Sequence, residues 1–179
     1  SAGRSPTPKA LKYFVENLMK TKDMSVAEEV AVKEQIWDYR QHIDKLLRET
    51  TRMLSQKTKT LALTVTNRRD IYYAGAAHIL DMPEFFDYQL THSVLETLDQ
   101  FDYWWRILEN NEDPFAILLG DEFGGQSLLS QCGYVYSKFE SPRVSGAIGV
   151  VGPSRLNYPV VIPMVRYVGG LIDEFTSSL

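Results

Sequence analysis

The sequence is poor in cysteine and lacks long uncharged apolar runs, and both shortages limit what the chain can be. Cys132 is the only cysteine among 179 residues, so no intrachain disulfide can form, which indicates a reducing compartment. No apolar run approaches the roughly 20 residues that a membrane-spanning helix needs. The N-terminus also lacks the pattern of a signal peptide. We therefore expect a cytoplasmic location and no membrane partner.

The sequence also lacks an excess of basic residues. It contains 19 basic and 23 acidic side chains, for a net charge of −4. Because DNA affinity depends mainly on neutralising phosphates, a chain with this balance is a poor DNA binder by itself. The hydrophobic share of 44% and the charged share of 23% are ordinary for a globular protein. The length supports one domain, or one domain with an extension, without metal or disulfide staples.

Motifs for catalysis, metals and cofactors are absent. The three histidines do not form an H-E-x-x-H motif or a comparable ligand spacing, and Cys132 has no neighbouring histidine or basic residue to activate it. The glycines of 146–152 do not match G-x-G-x-x-G, and Pro153 stands where a phosphate-binding helix would begin. We interpret that segment as a buried strand that ends in a Gly-Pro turn. The sequence thus predicts no catalytic residue, no metal ligand and no cofactor.

The N-terminal third predicts helices. Apolar residues at helical spacing indicate a short amphipathic helix over 8–20, and Ser25 with Glu28 forms a capping box for a long helix over 25–56. A short heptad pattern follows that long helix, which favours a core-facing or domain-linking role and leaves an intersubunit seam open. The candidates for a dimer surface in this pattern are Ile36, Tyr39, Ile43 and Leu46.

The remainder mixes helices and strands. Strands are predicted at 60–66, 115–119, 130–139 and 146–151, a turn at 67–70, short helical segments at 71–79 and 83–87, and longer helices at 88–110 and 160–176. Pro163 should bend or delay the last helix. Because the gaps between the late strands are the size of turns, we expect antiparallel pairing. The predicted fold class is α+β, an antiparallel sheet with helices packed on one face, preceded by a long N-terminal helix.

The helix over 88–110 carries a tryptophan pair. Its apolar positions place Trp105 on the core side and Trp104 off it. Tryptophan is enriched at interface hot spots, so Trp104 is a candidate for a partner surface. Packing against the long helix or against another subunit is the alternative.

Three segments together resemble a known family. They are Ser1-Ala-Gly-Arg-Ser-Pro-Thr7, Tyr73-Ala-Gly-Ala-Ala-His-Ile-Leu-Asp-Met-Pro-Glu-Phe-Phe86 and Ile148-Gly-Val-Val-Gly-Pro-Ser-Arg-Leu-Asn-Tyr-Pro159. In this order they resemble HrcA, the heat-inducible transcription repressors. In that family the first segment is the tail of the wing of an N-terminal winged-helix DNA-binding domain. The resemblance implies a GAF-like regulatory body that lacks this DNA reader.

The resemblance also implies a division of the chain and a set of site residues. Residues 1–8 would be the remnant of the wing, residues 9–57 linker helices, and residues 58–179 the GAF-like regulatory and dimerisation domain. The wing residues expected to reach DNA phosphates are Ser1, Gly3 and Arg4. The family motif residues with an expected structural role are Gly75, Pro83, Phe85, Gly149, Gly152, Pro153, Arg155 and Tyr158.

The partners follow from the same resemblance. The family implies a homodimer that binds an inverted-repeat operator upstream of chaperone genes, with the chaperonin GroEL maintaining the active repressor. Family members usually carry an inserted dimerising domain after the strand at 60–66, but here Val65 is followed almost at once by Arg68 and Tyr73, so this insert is missing.

Two other function classes stay open. A GAF-like domain of another transcription regulator could sense a small molecule, because such folds often hold ligands between the sheet and the helices. The sequence shows no convergent set of polar residues for such a pocket. An enzyme is the least supported alternative, since no nucleophile and base stand together.

Overall fold

The computed structural model describes residues 6–20, 23–125 and 127–178 of the chain. Its centre is an antiparallel sheet of five strands in the order β2-β1-β5-β4-β3. The strands are β1 (Leu61–Thr66), β2 (Ile71–Ala74), β3 (Phe115–Leu119), β4 (Cys132–Glu140) and β5 (Ser145–Pro153). The predicted α+β class and the antiparallel pairing are confirmed.

Helices cover both faces of this sheet. One face carries α1 (Pro8–Tyr13), α2 (Val26–Trp37), α3 (Ile43–Thr58) and α8 (Tyr158–Ser177), and a π-helical turn (Phe14–Leu18) follows α1. The other face carries α4 (Ala76–Leu80), α5 (Tyr88–Thr97), α6 (Phe101–Glu109), α7 (Asp121–Gly124) and two 3-10 turns (Pro83–Phe86 and Leu128–Gln131). The expectation of helices on one face is therefore wrong.

Because helices cover both faces of the sheet, the side chains of its central strands are buried along most of their length. Every side chain of β1 is buried, because its alternate residues enter different cores. Ala62 packs with α3 and α8 on one face, whereas Leu61 and Leu63 pack with α4 to α6 on the other. A sheet buried on both faces has near-continuous apolar strands instead of a polar alternation. The sequence of such a strand therefore does not indicate which face of the sheet the helices cover.

The predicted long helix over 25–56 is interrupted. It is two helices, α2 and α3, separated by a turn at residues 38–42. In this turn the amides of Tyr39 and Arg40 donate to the carbonyls of Ile36 and Trp37 at 3.1 and 3.2 Å. The capping box that was predicted at the start of α2 is present, with Glu28 N donating to Ser25 Oγ at 3.2 Å. The heptad pattern is therefore not a continuous seam.

Three other predicted elements also differ from the structure. The helix over 88–110 is divided into α5 and α6, which meet around Leu98. The short helix predicted at 71–79 is strand β2 followed by α4, because residues 71–74 pair with β1, a contact that local periodicity does not contain. The last helix begins at Tyr158 and continues through Pro163, so the proline does not delay it.

Candidate functional site

One end of the sheet collects the family motifs. Here β2 and β5 end, β1 and β4 begin, and β3 ends. Leu61 lies opposite Val151, Cys132 lies opposite Pro153, and the amide of Gly120 donates to the carbonyl of Cys132 at 3.2 Å. We call this region, with the loops that leave it, the motif end.

The segment 73–86 reaches the motif end through a glycine turn. Gly75 joins β2 to α4 with a φ of 80°, a left-handed conformation that favours glycine. A β-carbon at this position would lie 2.6 Å from the carbonyl oxygen of Thr60. The Ser55 hydroxyl donates to the same oxygen at 2.8 Å. Gly75 therefore allows the segment to pass close to the start of β1.

The rest of that segment anchors itself in the core. Pro83 begins a 3-10 turn, and Phe85 is buried behind it. The carbonyl of Phe85 accepts a hydrogen bond from the Thr91 hydroxyl at 2.6 Å. Glu84 of the same turn forms an ion pair with the guanidinium of Arg155. Because Arg155 is largely exposed, this pair contributes little to stability, but it joins the segments 73–86 and 148–159.

The segment 148–159 continues β5 into α8. Gly149 pairs within the sheet between Leu63 and Tyr136, and Gly152 contacts the side chain of Leu156. After Pro153, the amide of Ser154 donates to the carbonyl of Gln131 at 3.2 Å, and the Tyr158 hydroxyl donates to the Ser154 carbonyl. Burial raises the pKa of the Tyr158 phenol, so this hydroxyl remains a donor at neutral pH.

The N-terminal helix docks at the same place. The Thr7 hydroxyl accepts from the amide of Ala10 at 3.2 Å and caps α1. Pro8 packs on Gly120, whose φ is 61°, and a β-carbon on Gly120 would lie 2.8 Å from the Cβ of Pro8. Lys12 Nζ lies 2.5 Å from Glu122 Oε2. The helix α1 therefore packs on the turn that follows β3, at the motif end.

Three of the five predicted dimer-surface residues are core residues. Ile36, Leu46 and Trp104 are fully buried, and the Trp104 Nε1 donates to the carbonyl of Thr97 at 2.8 Å. The expectation that these side chains lie on a surface is wrong, since sequence periodicity shows an apolar stripe but not what covers it. Tyr39 and Ile43 are partly buried against the same core as Ile36.

The predicted DNA contacts Ser1, Gly3 and Arg4 lie outside the described residues. The motif residues Gly75, Pro83, Phe85, Gly152, Pro153, Arg155 and Tyr158 all lie at the motif end, and Gly149 lies in the middle of β5. Sequence reasoning missed two contacts, Pro8 on Gly120 and Glu84 with Arg155. Glu84 and Arg155 are 71 positions apart in the sequence. The one signal that could have paired them is that each belongs to a motif segment.

The motif end offers hydrogen bonds and packing, and its thiol is not activated. Burial raises the pKa of the Cys132 thiol to about 12, so it is not a nucleophile at neutral pH. Within residues 6–20, 23–125 and 127–178, no three His, Cys, Asp or Glu side chains are grouped to hold a metal ion. In the same ranges, none of the helices has the length and apolarity that crossing a membrane requires.

Curated proteins and a solved structure resemble this chain. A protein named heat-inducible transcription repressor HrcA from Symbiobacterium thermophilum is 30% identical over 132 residues, which cover 72% of this chain and 37% of that protein. A second of the same name from Thermoanaerobacter pseudethanolicus is 27% identical over 168 residues, covering 93% of this chain and 48% of that protein. The chain thus spans less than half the length of these relatives.

A crystal structure described as that of a hypothetical protein superposes with a TM-score of 0.74 over 99% of this chain and 81% of that chain. Its sequence identity of 12% supports the fold alone. The family described as "HrcA protein C terminal domain" matches residues 9–162. Because this match extends over most of the sequence, the chain belongs to the HrcA family, whose curated members are heat-inducible transcription repressors.

Proposed function

We propose that the chain is the regulatory and dimerisation body of a transcriptional repressor of heat-shock chaperone genes. The observation that carries this proposal is the contact between the segments 73–86 and 148–159, through Glu84 and Arg155, at the end of the sheet where Pro8 packs on Gly120. The relatives are about twice as long as this chain, and we assign DNA reading to a winged-helix domain that precedes it in the full-length protein.

The division of labour along the chain is part of the proposal. Residues 1–8 are the tail of the wing, residues 9–57 are the linker helices, and residues 58–179 are the body. The linker helices α2 and α3 bury Ile36 and Leu46 in one core with Val168 of α8. This shared core supports a coupling in which unfolding of the body releases the helices that hold the reader.

We also propose a cytoplasmic homodimer that binds an inverted-repeat operator. Two readers need a body that holds them at the spacing of two half-sites, about one helical turn of DNA or a multiple of it. At the place where the family carries its dimerising insert, this chain has only the turn between β1 and β2 at residues 67–70. The dimer contacts must therefore lie on other surfaces.

Heat inducibility requires a body that loses its fold at moderate temperature, and the chaperonin GroEL would restore it. Four buried polar atoms have no hydrogen-bond partner within the described residues. They are Thr50 Oγ1, Glu84 Oε2, Tyr134 OH and Tyr136 OH. A buried polar atom without a partner costs about 1–3 kcal/mol.

Operator binding by fluorescence anisotropy tests the proposal. The full-length protein is titrated onto labelled inverted-repeat DNA from a chaperone promoter and onto scrambled DNA at fixed salt, and residues 1–179 are titrated in parallel. We expect tight, sequence-selective binding by the full-length protein and none by residues 1–179. A folded full-length protein that does not discriminate between the two DNAs would overturn the proposal.

A second candidate function is supported by the orphan hydroxyls of Tyr134 and Tyr136. Both lie between the sheet and α6, the layer in which GAF-like folds often hold ligands, and both rings belong to one aromatic cluster with Trp104. A bound small molecule with hydrogen-bonding groups would satisfy them. A metabolite screen by thermal unfolding tests this function: a ligand that raises the Tm of the wild type but not of the Tyr134→Phe variant favours it.

A further inference from the structure

Charge is unevenly distributed along the chain. Residues 71–131 contain eleven acidic side chains and one basic side chain, Arg106, whereas the rest of the chain contains 18 basic and 12 acidic side chains. The modest net charge of −4 therefore hides a segment of −10 and a remainder of +6. Such a separation affects which charged partners each surface attracts.

The fold places most of the acidic segment on one face of the sheet. Residues 71–131 form α4 to α7 and both 3-10 turns, which cover one face and which we call the acidic layer. The helices α1, α2, α3 and α8 cover the other face and carry eight basic and seven acidic side chains, so we call this face the mixed layer. A polyanion is thus repelled by the acidic layer and meets a nearly balanced charge on the other face.

Within the mixed layer, basic side chains form an ordered row on α3. Along the exposed side of this helix, residues spaced by three or four positions share one face. They are Lys45, Arg48, Arg52, Gln56 and, at the C-cap, Lys59. We call this row the α3 stripe. At a rise of about 1.5 Å per residue, the stripe is about 21 Å long.

Most of the stripe is unpaired within the described residues. Arg52 lies 4.0 Å from Glu49, and this exposed pair is weak. Within the described ranges, Lys45, Arg48 and Lys59 form no ion pair. Isolated surface charges are normally just solvated, but these follow one line on the side of α3 opposite its buried face.

The α3 stripe ends next to the motif end. Lys59 follows α3 immediately before β1, so the stripe leads to the motif end. Pro8, through which the preceding chain arrives, packs on Gly120 at the end of β3. In the sheet β1 and β3 are separated by β5 and β4, so three strand spacings of about 4.8 Å, or about 14 Å, lie between the two points.

We propose that the α3 stripe contacts the phosphate backbone of duplex DNA next to the operator half-site, with the acidic layer facing away. This inference rests on the proposed function, because the reader preceding Pro8 would bring the duplex to the motif end. The contacts would be electrostatic and independent of base sequence. The stripe would raise affinity without changing which operator is selected.

The test compares two double variants of the full-length protein that lose the same charge. Arg48→Gln with Arg52→Gln removes two charges from the stripe. Arg68→Gln with Arg143→Gln removes two exposed charges from the opposite end of the sheet, where the Arg68 guanidinium donates to the Arg143 carbonyl at 2.8 Å. Affinity for operator and scrambled duplex is measured by anisotropy between 50 and 200 mM salt, and thermal unfolding verifies that each variant is folded.

Each phosphate contact contributes about 0.9 to the slope of log affinity against log salt. We expect the stripe variant to lose about 1.8 of that slope per protomer, equal to about tenfold in the affinity change over this salt range. The ratio of operator to scrambled affinity should stay the same, and the control variant should match the wild type. Equal slopes for all three proteins, or equal losses in both variants, would overturn the proposal.

Two further outcomes separate this inference from the proposed function. If the wild type does not prefer the operator but binds duplex DNA through the stripe, the proposed function fails, and only the phosphate contact of the stripe stands. The competing partner for the stripe is the acidic layer of a second copy, a head-to-tail contact that tends to form open assemblies. If the stripe variant changes the molar mass measured by light scattering and leaves the salt slope intact, the stripe is a protein contact and the DNA proposal is wrong.

Discussion

At the scale of single residues, the aromatic core under α6 contains an energetic weakness. The rings of Tyr134 and Tyr136 lie 4.8 Å apart, centroid to centroid, and Trp104 contacts Tyr134 edge-on at 5.1 Å. The rings pack as phenylalanines would, yet their buried hydroxyls have no hydrogen-bond partner among the described residues. The two rings therefore stabilise the fold by packing, whereas the loss of water from their buried hydroxyls lowers the free energy of unfolding.

Replacing either hydroxyl should stabilise the protein. We expect Tyr134→Phe to increase the free energy of unfolding by about 1 kcal/mol, because the buried orphan hydroxyl disappears while the ring remains. For a chain of this size that is a rise in Tm of about 2–4 °C, measurable by calorimetry. The matched control is Tyr158→Phe, which loses a hydrogen bond to the Ser154 carbonyl and should lower the Tm. A lower Tm for Tyr134→Phe would show that its hydroxyl is satisfied in solution.

Stability should also fall at alkaline pH. Burial raises the pKa of Cys132 from 9.0 to about 12, so the unfolded thiol releases its proton at lower pH than the folded one. The stability linked to this group is complete below pH 9 and is lost as the pH rises from about 9 towards 12, by at most about 1.4 kcal/mol per pH unit. Tyr103 and Tyr136, raised from 10.0 to about 12, add to the loss above pH 10.

Urea unfolding between pH 7 and 10 measures this dependence. The Cys132→Ala variant should be less stable at pH 7, since it loses a buried side chain, and its stability should fall less steeply than that of the wild type between pH 9 and 10, because only the tyrosines then contribute to the loss. Because Cys132 is the only cysteine, iodoacetamide labelling reports it alone, and modification should require unfolding. Rapid labelling of the folded protein at pH 8 would contradict the burial of this thiol.

At the scale of elements, the turn between β1 and β2 deserves a direct test as an insertion site. It is short and exposed, and its hydrogen bonds include the amide of Thr66 donating to the Asp70 carbonyl at 3.1 Å and the amide of Asn67 donating to the Ser145 carbonyl at 2.8 Å. We expect about ten Gly and Ser residues placed between Arg68 and Arg69 to cost about 1–2 kcal/mol, because loop closure depends only weakly on length. Urea unfolding measures this cost.

The β4–β5 turn provides the comparison for that insertion. It joins the two longest strands, and Val144 is buried within it while its carbonyl accepts from the amide of Ser141 at 3.0 Å. The same insertion between Pro142 and Arg143 should cost at least about 2 kcal/mol more, because it displaces a core side chain. Equal costs at the two turns would show that the β1–β2 turn is not specially suited to carry an additional domain.

The elements also show how far sequence reasoning reaches. The capping box at Ser25, the strands β1, β3, β4 and β5, and the α+β class could be predicted, because local chemistry and turn-sized gaps determine them. β2 could not, since its four residues are a strand only through pairing with β1. The interruption between α2 and α3 was missed because residues 38–42 contain neither proline nor glycine. The docking of Pro8 on Gly120 depends on tertiary structure alone.

At the scale of the whole molecule, the motif segments 73–86 and 148–159 are brought together only once the chain is folded. The sequence showed them as separate resemblances, whereas the structure brings the segments 73–86 and 148–159 into contact beside the docking point of α1. The same end of the sheet receives α3 with its basic stripe. Under the proposed function, the folded body positions a DNA reader, and loss of the fold would end repression.

The most direct test of this account compares DNA release with unfolding in the full-length protein. Operator binding is followed by anisotropy as temperature rises, and unfolding of the body is followed by circular dichroism in the same buffer. The account predicts that the two midpoints coincide and that Tyr134→Phe raises both by the same few degrees. Operator affinity that persists after the body has unfolded, or a release midpoint that Tyr134→Phe leaves unchanged, would contradict a regulatory role for this domain.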